Sequence, residues 1–358
     1  MEPIQQFDEI FARETPVLAL APMQDVTDLP FWNLMAKYGG PDLYFTEYFR
    51  VHTTSHLEKP ILRSITDNVT GRPSLAQMIG NDIPSLVRSA KELQHYPIAG
   101  VDLNLGCPAP VVYRKCAGGG LLRDPARVSG IIEALREAVQ VKFTIKTRIG
   151  FDHAENFSEL LKRFDAASPD LVTVHARTVH EMYRPRVHYE YVREAVERLR
   201  CPVLANGNVD CVISARMALE QTGARGLMIG RGAIRNPWIF QQIRQSFAGE
   251  EVFVPKGRDV LNYVRELYEA VKPPVLRENA MVQKMKKYMN YLAVGVDPAG
   301  QFLHEIRRVT TEKEFFSVCE RFLDHGDEMF MEPAFHPKVG GVDSAGPVDA
   351  VDAEAGLG

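Results

Sequence analysis

The tripeptide Gly106-Cys107-Pro108 follows the apolar run Asp102-Leu-Asn104-Leu105. Glycine and proline interrupt regular structure and hold the backbone in a turn, so the thiol stands at the end of an element rather than inside one. A thiol there can be a small apolar filler or a reactive group. Asn104, three residues earlier, can bind the edge of a ring, and Cys116 is a second thiol without the Gly–Pro setting. Other polar residues also end apolar runs: Ala21-Pro22-Met23, Glu47, Gln77, Lys146 with Arg148, His175 with Arg177, Asn206-Gly207-Asn208 and Gly230-Arg231-Gly232. The two glycine turns expose backbone amides and, with one guanidinium, suit a phosphate, although each alone is an ordinary turn. Lys146 either snorkels from a strand end or faces a ligand carrying negative charge. A phosphate, an electron-rich ring and ring carbonyls would together satisfy this set. Flavin mononucleotide (FMN) has all three, with Gln77 on the amide edge of the ring and Lys146 stabilising negative charge on it.

The elements that carry these residues are legible as eight apolar runs: Val17–Leu20, Leu43–Thr46, Leu75–Ile79, Gly100–Leu105, Lys142–Lys146, Leu171–His175, Pro202–Ala205 and Gly226–Ile229. They are continuous rather than alternating, the pattern of strands buried on both faces. Helical patterns over Ile83–Gln94, Pro125–Val139, Asn156–Ala167, Tyr189–Leu199 and Cys211–Gln221 lie between them, and Thr66–Pro73 reads as a turn. Strand followed by helix, repeated, predicts an α/β fold of the (β/α)8 TIM-barrel type. The polar residues then gather at the C-terminal strand ends, with the glycine turns after the seventh and eighth strands, where barrels often bind phosphate. No Gly-x-Gly-x-x-Gly follows an early strand, which disfavours a doubly wound dinucleotide domain. Asp102 and Asp170 are expected to face away from the pocket or to cap turns.

Beyond Phe240 the strand-like runs stop, and Val260–Val271, Leu276–Leu292 and Glu312–Leu323 read as amphipathic helices. The expected organisation is a barrel over residues 1–245, a smaller α-helical domain over 246–332 and a disordered tail over 333–358. Of 358 residues, 45% are hydrophobic and 25% charged, the balance of a globular chain with no run long enough to span a bilayer. Five cysteines without a Cys-x-x-Cys pair argue against a disulfide scaffold or a metal site. The acidic N-terminus lacks a signal-peptide core, so the expected location is cytoplasmic, with a single chain as the working unit. A net charge of -4 excludes a global positive field, leaving any nucleic-acid contact to local basic patches.

Ala21-Pro-Met-x-x-Val-Thr-Asp28, Asp102-Leu-Asn-x-Gly-Cys-Pro108, Gly118-x-x-Leu-Leu122, Lys146-x-Arg-x-Gly150, Val174-His-Ala-Arg-Thr178, Asn206-Gly207 and Ile229-Gly-Arg-Gly-Ala233 occur in this order. Together, over roughly Val17 to Phe240, they resemble the tRNA-dihydrouridine synthase family. The resemblance implies an FMN barrel, with a C-terminal helical domain, that reduces the C5=C6 bond of selected tRNA uridines with NADPH as electron source. It implies cofactor contacts from Ala21, Pro22, Met23, Gln77, Lys146, His175, Asn206, Gly207, Asn208, Gly230 and Arg231. It further implies that Asn104 helps hold the uracil and that Cys107 donates the proton, with Gly118-Gly-Gly120 as hinges of a closing loop. Substrate contacts are expected from Arg177 and from Lys284 and Lys287, which lie with Arg277 near helical spacing on one face; Arg184, Arg186, Lys286, Arg307 and Arg308 are further phosphate candidates. Asn208 stands where the family has an acidic residue, with Asp210 as its expected replacement, and Tyr189 stands at a tryptophan position. A barrel acting on a free pyrimidine, like the dihydroorotate dehydrogenases, would use a base and need no helical domain. A non-catalytic RNA-binding barrel would not need Cys107, Asn104, Lys146 and His175 together.

Overall fold

A computed structural model describes residues 2–184, 186–272, 277–297 and 299–332; the expected tail over 333–358 lies outside the described residues. The apolar runs form one parallel sheet of short strands: β1 (Val17–Leu20), β2 (Tyr44–Phe45), β3 (Phe49–Arg50), β4 (Ser74–Ile79), β5 (Gly100–Leu105), β6 (Lys142–Arg148), β7 (Leu171–His175), β8 (Val203–Asn206) and β9 (Gly226–Ile229). Their order is β1-β9-β8-β7-β6-β5-β4-β2, and a parallel bridge between Ala19 and Leu43 joins the two ends into a barrel. Helices Ile83–Leu93, Pro125–Ala138, Phe157–Ala167, Tyr189–Arg198 and Val212–Thr222 follow their strands as the spacing predicts. This is the TIM-barrel architecture.

The second apolar run departs from expectation. Instead of one strand over Leu43–Thr46, two two-residue strands, β2 and β3, both pair with β4. The Gln77 amide donates to the Thr46 hydroxyl oxygen at 3.0 Å, and Thr46, Glu47 and Tyr48 form the irregular link between the two strands. Helix Lys59–Thr66 then precedes the turn read over Thr66–Pro73.

Side chains alternate across each strand, so the barrel interior is set by every second residue. Its N-terminal end is apolar, packing Val17, Ala19, Leu75, Leu171, Leu204 and Met228 beneath Phe7 and Ile10 of the N-terminal helix Pro3–Ala12. Asp8 of that helix pairs with Lys142 at 2.6 Å. Toward the C-terminal end the same alternation turns polar: Gln77 on β4, Asp102 and Asn104 on β5, Thr144 and Lys146 on β6, His175 on β7 and Asn206 on β8. Gly100 and Gly226 permit close strand approach; a Cβ would lie 2.4 Å from the Lys142 carbonyl oxygen in the first case and 2.0 Å from that of Val17 in the second.

Two compact units divide the chain. The first comprises residues up to Leu29, Pro41–Val209 and Ile213–Gly230; the second comprises Pro30–Gly40, Asp210–Val212 and the described residues from Arg231 onward. The division therefore falls at Gly230, ahead of the boundary expected after residue 245. The second unit is helical, with Gly257–Val271, Glu278–Val296 and Glu312–Leu323 as its longest members beyond Ala248. Tyr38 packs edge-on against Trp238 and Tyr263, and Phe31 stacks on Tyr288. Among the described residues no helix is long and apolar enough to cross a membrane.

Candidate active site

The turn at Cys107 is held by a directed chain of hydrogen bonds. Asn104 Oδ1 accepts the backbone N–H groups of Gly106 at 3.0 Å and Cys107 at 2.9 Å. Asn104 Nδ2 donates to Gln77 Oε1 at 2.8 Å, and Gln77 Nε2 donates to Asp102 Oδ2 at 2.7 Å. The other Asp102 oxygen accepts the Thr144 hydroxyl at 2.5 Å. A carboxylate only accepts, so Asp102 fixes which way both amides point. It does not face away from the pocket, as its sequence position suggested, because it lies on the same side of β5 as Asn104. Burial pushes its pKa up to about 6 against the lowering effect of the Thr144 and Gln77 hydrogen bonds. Asp170 does hold a turn, accepting the Phe143 amide at 2.8 Å and pairing with Arg136 at 3.0 Å.

Burial raises the Cys107 thiol above its ordinary range, outweighing the Ala109 amide, Arg148, the Tyr48 hydroxyl and Lys146, all of which favour the thiolate. The thiol therefore keeps its proton at neutral pH. Lys146 is pushed down to about 8, mainly by burial and then by Arg148, yet stays largely protonated at neutral pH. Its ammonium donates to Asn206 Oδ1 at 3.3 Å, and Asn206 Nδ2 donates to the Met228 carbonyl at 2.8 Å.

Arg177 and Arg148 are buried brackets. Arg177 is fully buried and donates to the Arg184 carbonyl at 2.6 Å and to Asn208 Oδ1 at 2.6 Å, which is not the setting of a surface RNA contact. Its third contact is His175 Nε2 at 3.1 Å. A guanidinium only donates, so Nε2 accepts and the imidazole proton sits on Nδ1. Arg148 donates to the Gly106 carbonyl at 2.9 Å and to the Thr178 and Met182 carbonyls at 2.8 Å each, tying the cysteine turn to the loop after β7. Its role was legible only as a strand-end residue, although it shares the β6 face with Lys146.

At the barrel seam the Met23 amide donates to the Thr27 hydroxyl at 2.7 Å, and the Ala21 amide to the Ile229 carbonyl at 2.8 Å. A Cβ on Gly230 would meet Met23 Sδ at 3.3 Å and Ala21 Cβ at 3.4 Å, so Ala21-Pro22-Met23 and Gly230 form one close wall. Gly207 adopts φ +128°, a conformation that favours glycine. Glu47 accepts the Asp25 amide, and burial with Asp28 nearby pushes it up to about 7. The Gly118–Gly120 triplet is not a free hinge. It lies buried at the start of the 3-10 helix Gly118–Arg123, where a Cβ would meet Cys107 Cβ at 3.0 Å from Gly118, Val179 Cγ2 at 2.4 Å from Gly119 and the Tyr113 carbonyl at 2.5 Å from Gly120. Cys116 is exposed at φ +52°.

A family model described as dihydrouridine synthase matches residues 19–326 of this chain. The chain belongs to the dihydrouridine synthase family. A probable tRNA-dihydrouridine synthase of Rhodobacter capsulatus is 33% identical over 72% of this chain and 81% of its own length. The tRNA-dihydrouridine(16) synthase of Neisseria meningitidis serogroup A is 28% identical over 85% and 94% respectively. Histamine dehydrogenase from Rhizobium sp. 4-9 shares the fold, with a TM-score of 0.50 at 14% identity over 73% of this chain and 51% of that one. As a dihydrouridine synthase the protein is a flavin-dependent oxidoreductase that reduces uridine in tRNA.

Two positions, Asn208 and Tyr189, depart from the pattern of such a synthase, and each has a definite partner. Asn208 supplies an oxygen to Arg177 where an acidic side chain is usual. Asp210 does not replace it, since Asp210 pairs with Arg235 at 3.0 Å. The Tyr189 hydroxyl donates to the Gly207 carbonyl at 2.6 Å and so braces the glycine turn. In the second unit the Lys284 ammonium donates to the Val271 carbonyl at 3.1 Å, at the end of helix Gly257–Val271, and Lys286 to the Arg307 carbonyl at 3.0 Å. Lys287 is exposed, and a surface recess is lined by Gly300, Leu303, His304, Arg307 and Arg308.

Proposed function

We propose that this synthase reduces the C5=C6 bond of selected tRNA uridines with FMN as resident cofactor, NADPH as electron source and Cys107 as the acid. The fit of the cofactor rests on the polar interior end of the barrel. Gln77, Lys146, His175 and Asn206 offer ring contacts, beside the wall that Ala21, Met23 and Gly230 form. Gly207, Asn208 and Gly230 present amides for the phosphate, with Arg231 next in the chain as its cation. When bound, the flavin supplies the hydride for C6 of the uracil.

The chain's own residues handle the proton. Hydride at C6 sends charge toward C5 and O4, and C5 must be protonated. Cys107 carries the proposal: burial keeps its proton in place, and its turn is fixed by Asn104 and Arg148. Asn104 has one Nδ2 hydrogen beyond the bond to Gln77, suited to a ring carbonyl. The Lys146 ammonium stabilises the negative charge that develops. Exposed cations of the second unit, Lys287, Arg307 and Arg308, are proposed to contact RNA phosphates, and tRNA as substrate supports a cytoplasmic setting.

The test is to supply purified protein with NADPH and an unmodified tRNA transcript, measure dihydrouridine, and identify the flavin released on denaturation. Dihydrouridine with released FMN is expected. Release of flavin adenine dinucleotide would contradict the cofactor, and absence of dihydrouridine would contradict the reaction. Arg231→Ala should retain less FMN, read by flavin absorbance after gel filtration.

A further inference from the structure

The loop after β7 runs from Thr178 to His188, and its two ends are closed on each other by a pair of side chains that the reaction itself does not use. Glu181 Oε2 accepts the Thr178 amide at 2.7 Å, while the Glu181 amide donates to the Thr178 hydroxyl oxygen at 3.2 Å, which fixes the first turn. Glu181 Oε1 lies 2.7 Å from His188 Nε2, and since a carboxylate only accepts, Nε2 donates. The His188 amide donates to the Ala176 carbonyl at 2.8 Å, just past the end of β7. Both side chains are largely sheltered, 16% and 25% exposed, so water does not readily replace the bond between them. The other ring nitrogen, Nδ1, faces the exposed Glu190 carboxylate at 3.3 Å. Within the closed loop Met182 stands at φ +51°, a left-handed conformation that a residue with a side chain keeps only where its surroundings hold it.

What this loop turns toward the barrel is carbonyl oxygens. Those of Thr178 and Met182 each accept from Arg148 at 2.8 Å, and that of Arg184 accepts from Arg177 at 2.6 Å. The Tyr183 ring adds its face, 5.6 Å from the Arg148 guanidinium. The same two arginines reach the site: Arg148 Nε donates to the Gly106 carbonyl, one residue before Cys107, and Arg177 donates to His175 Nε2. We propose that Glu181 and His188 are positioning residues: their hydrogen bond holds the loop after β7 in the shape in which its carbonyls orient Arg148 and Arg177, and through them the Cys107 turn and the His175 ring. Placement of the Cys107 turn by this route does not depend on its chemical role. Only the expected effect on the rate of tRNA reduction rests on the reading of Cys107 as the acid.

The test reads Cys107 against Cys116, whose exposed thiol serves as the internal reference. Holoenzyme is treated with iodoacetamide at one fixed pH, and both modified peptides are quantified by mass spectrometry. His188→Leu should speed alkylation of Cys107 relative to Cys116 about tenfold, the gain in locally opened turn when one hydrogen bond to a charged group is lost, and slow flavin reoxidation by tRNA about tenfold. His188→Gln keeps an N–H donor for Glu181 and should restore both readings to near the parent. Glu181→Ala removes the partner from the other side and should give the same two changes, and adding His188→Leu to it should change neither further, because the shared contact is already gone. A parental Cys107-to-Cys116 ratio in either single variant overturns the proposal, even with a lowered melting temperature, since that is what a merely structural pair would give. A His188→Gln variant that behaves like His188→Leu overturns it as well. Cys107→Ala decides separately whether the thiol is the acid and leaves the alkylation ratios standing, so failure of that reading is distinguishable from failure of this one.

Discussion

Asp102 sets the direction of a hydrogen-bond chain that ends at the backbone of Cys107, and its replacement separates shape from polarity. Asp102→Asn keeps an acceptor for Gln77 and can donate to the Thr144 oxygen, so it should retain most tRNA reduction. Asp102→Leu leaves the Gln77 amide and the Thr144 hydroxyl buried without partners, each costing about 1–3 kcal/mol. It should lower the urea midpoint and slow tRNA reduction; equal behaviour of the two variants would remove Asp102 from the account. Lys146 gives a pH signature. Its pKa is lowered to about 8, so it is charged below that pH and neutral above it. The rate of tRNA reduction should fall as pH rises through about 8, and Lys146→Met should lose that limb of the pH profile at a lower plateau. Asp102 was legible in principle, because residues two apart share a strand face and Asn104 was already placed at the site. Arg148 follows Lys146 by the same rule.

At the scale of elements, close approach explains what composition hides. The Gly118–Gly120 stretch reads as flexible, yet each glycine is buried where a side chain would collide, and the Gly119 amide donates to the Cys107 carbonyl at 3.2 Å. Gly119→Ala should therefore destabilise the protein by about 1–3 kcal/mol, as overpacking does, and displace the cysteine turn. A lowered melting temperature together with slowed tRNA reduction is expected; a variant as stable as the parent would restore the hinge reading. The strands β1, β2 and β4–β9 and the five long helices that follow β4 to β8 were legible because burial on both faces writes continuous apolar runs, bounded by turn residues. β3 was not, because a two-residue strand leaves too short a pattern. The end of the barrel unit at Gly230 was hidden as well, since helices Arg231–Arg235 and Ile239–Ala248 continue the strand-helix rhythm while belonging to the second compact unit.

For the whole molecule, a net charge of -4 requires that attraction to RNA be local. The Lys284 ammonium already donates to the Val271 carbonyl, whereas Lys287 is exposed, and Arg307 and Arg308 line a surface recess, so Lys287 and Arg308 are the cations chosen for the test. Charge reversal at Lys287 and Arg308 together should weaken tRNA binding and flatten its dependence on salt by about one phosphate contact per residue, while leaving flavin reduction by NADPH intact. Unchanged affinity at low salt would mark them as solvated surface. On the proposed reading the enzyme runs two half-reactions, and only the second requires an acid. The most direct measurement is stopped-flow comparison of the parent with Cys107→Ala and Cys116→Ala, following flavin bleaching by NADPH and then its return on mixing with unmodified tRNA. Cys107→Ala should bleach at the parental rate and reoxidise with tRNA about a hundredfold to ten-thousandfold more slowly, the range of general acid catalysis, whereas Cys116→Ala should stay near the parent. Undiminished reoxidation and dihydrouridine formation in Cys107→Ala would contradict the account.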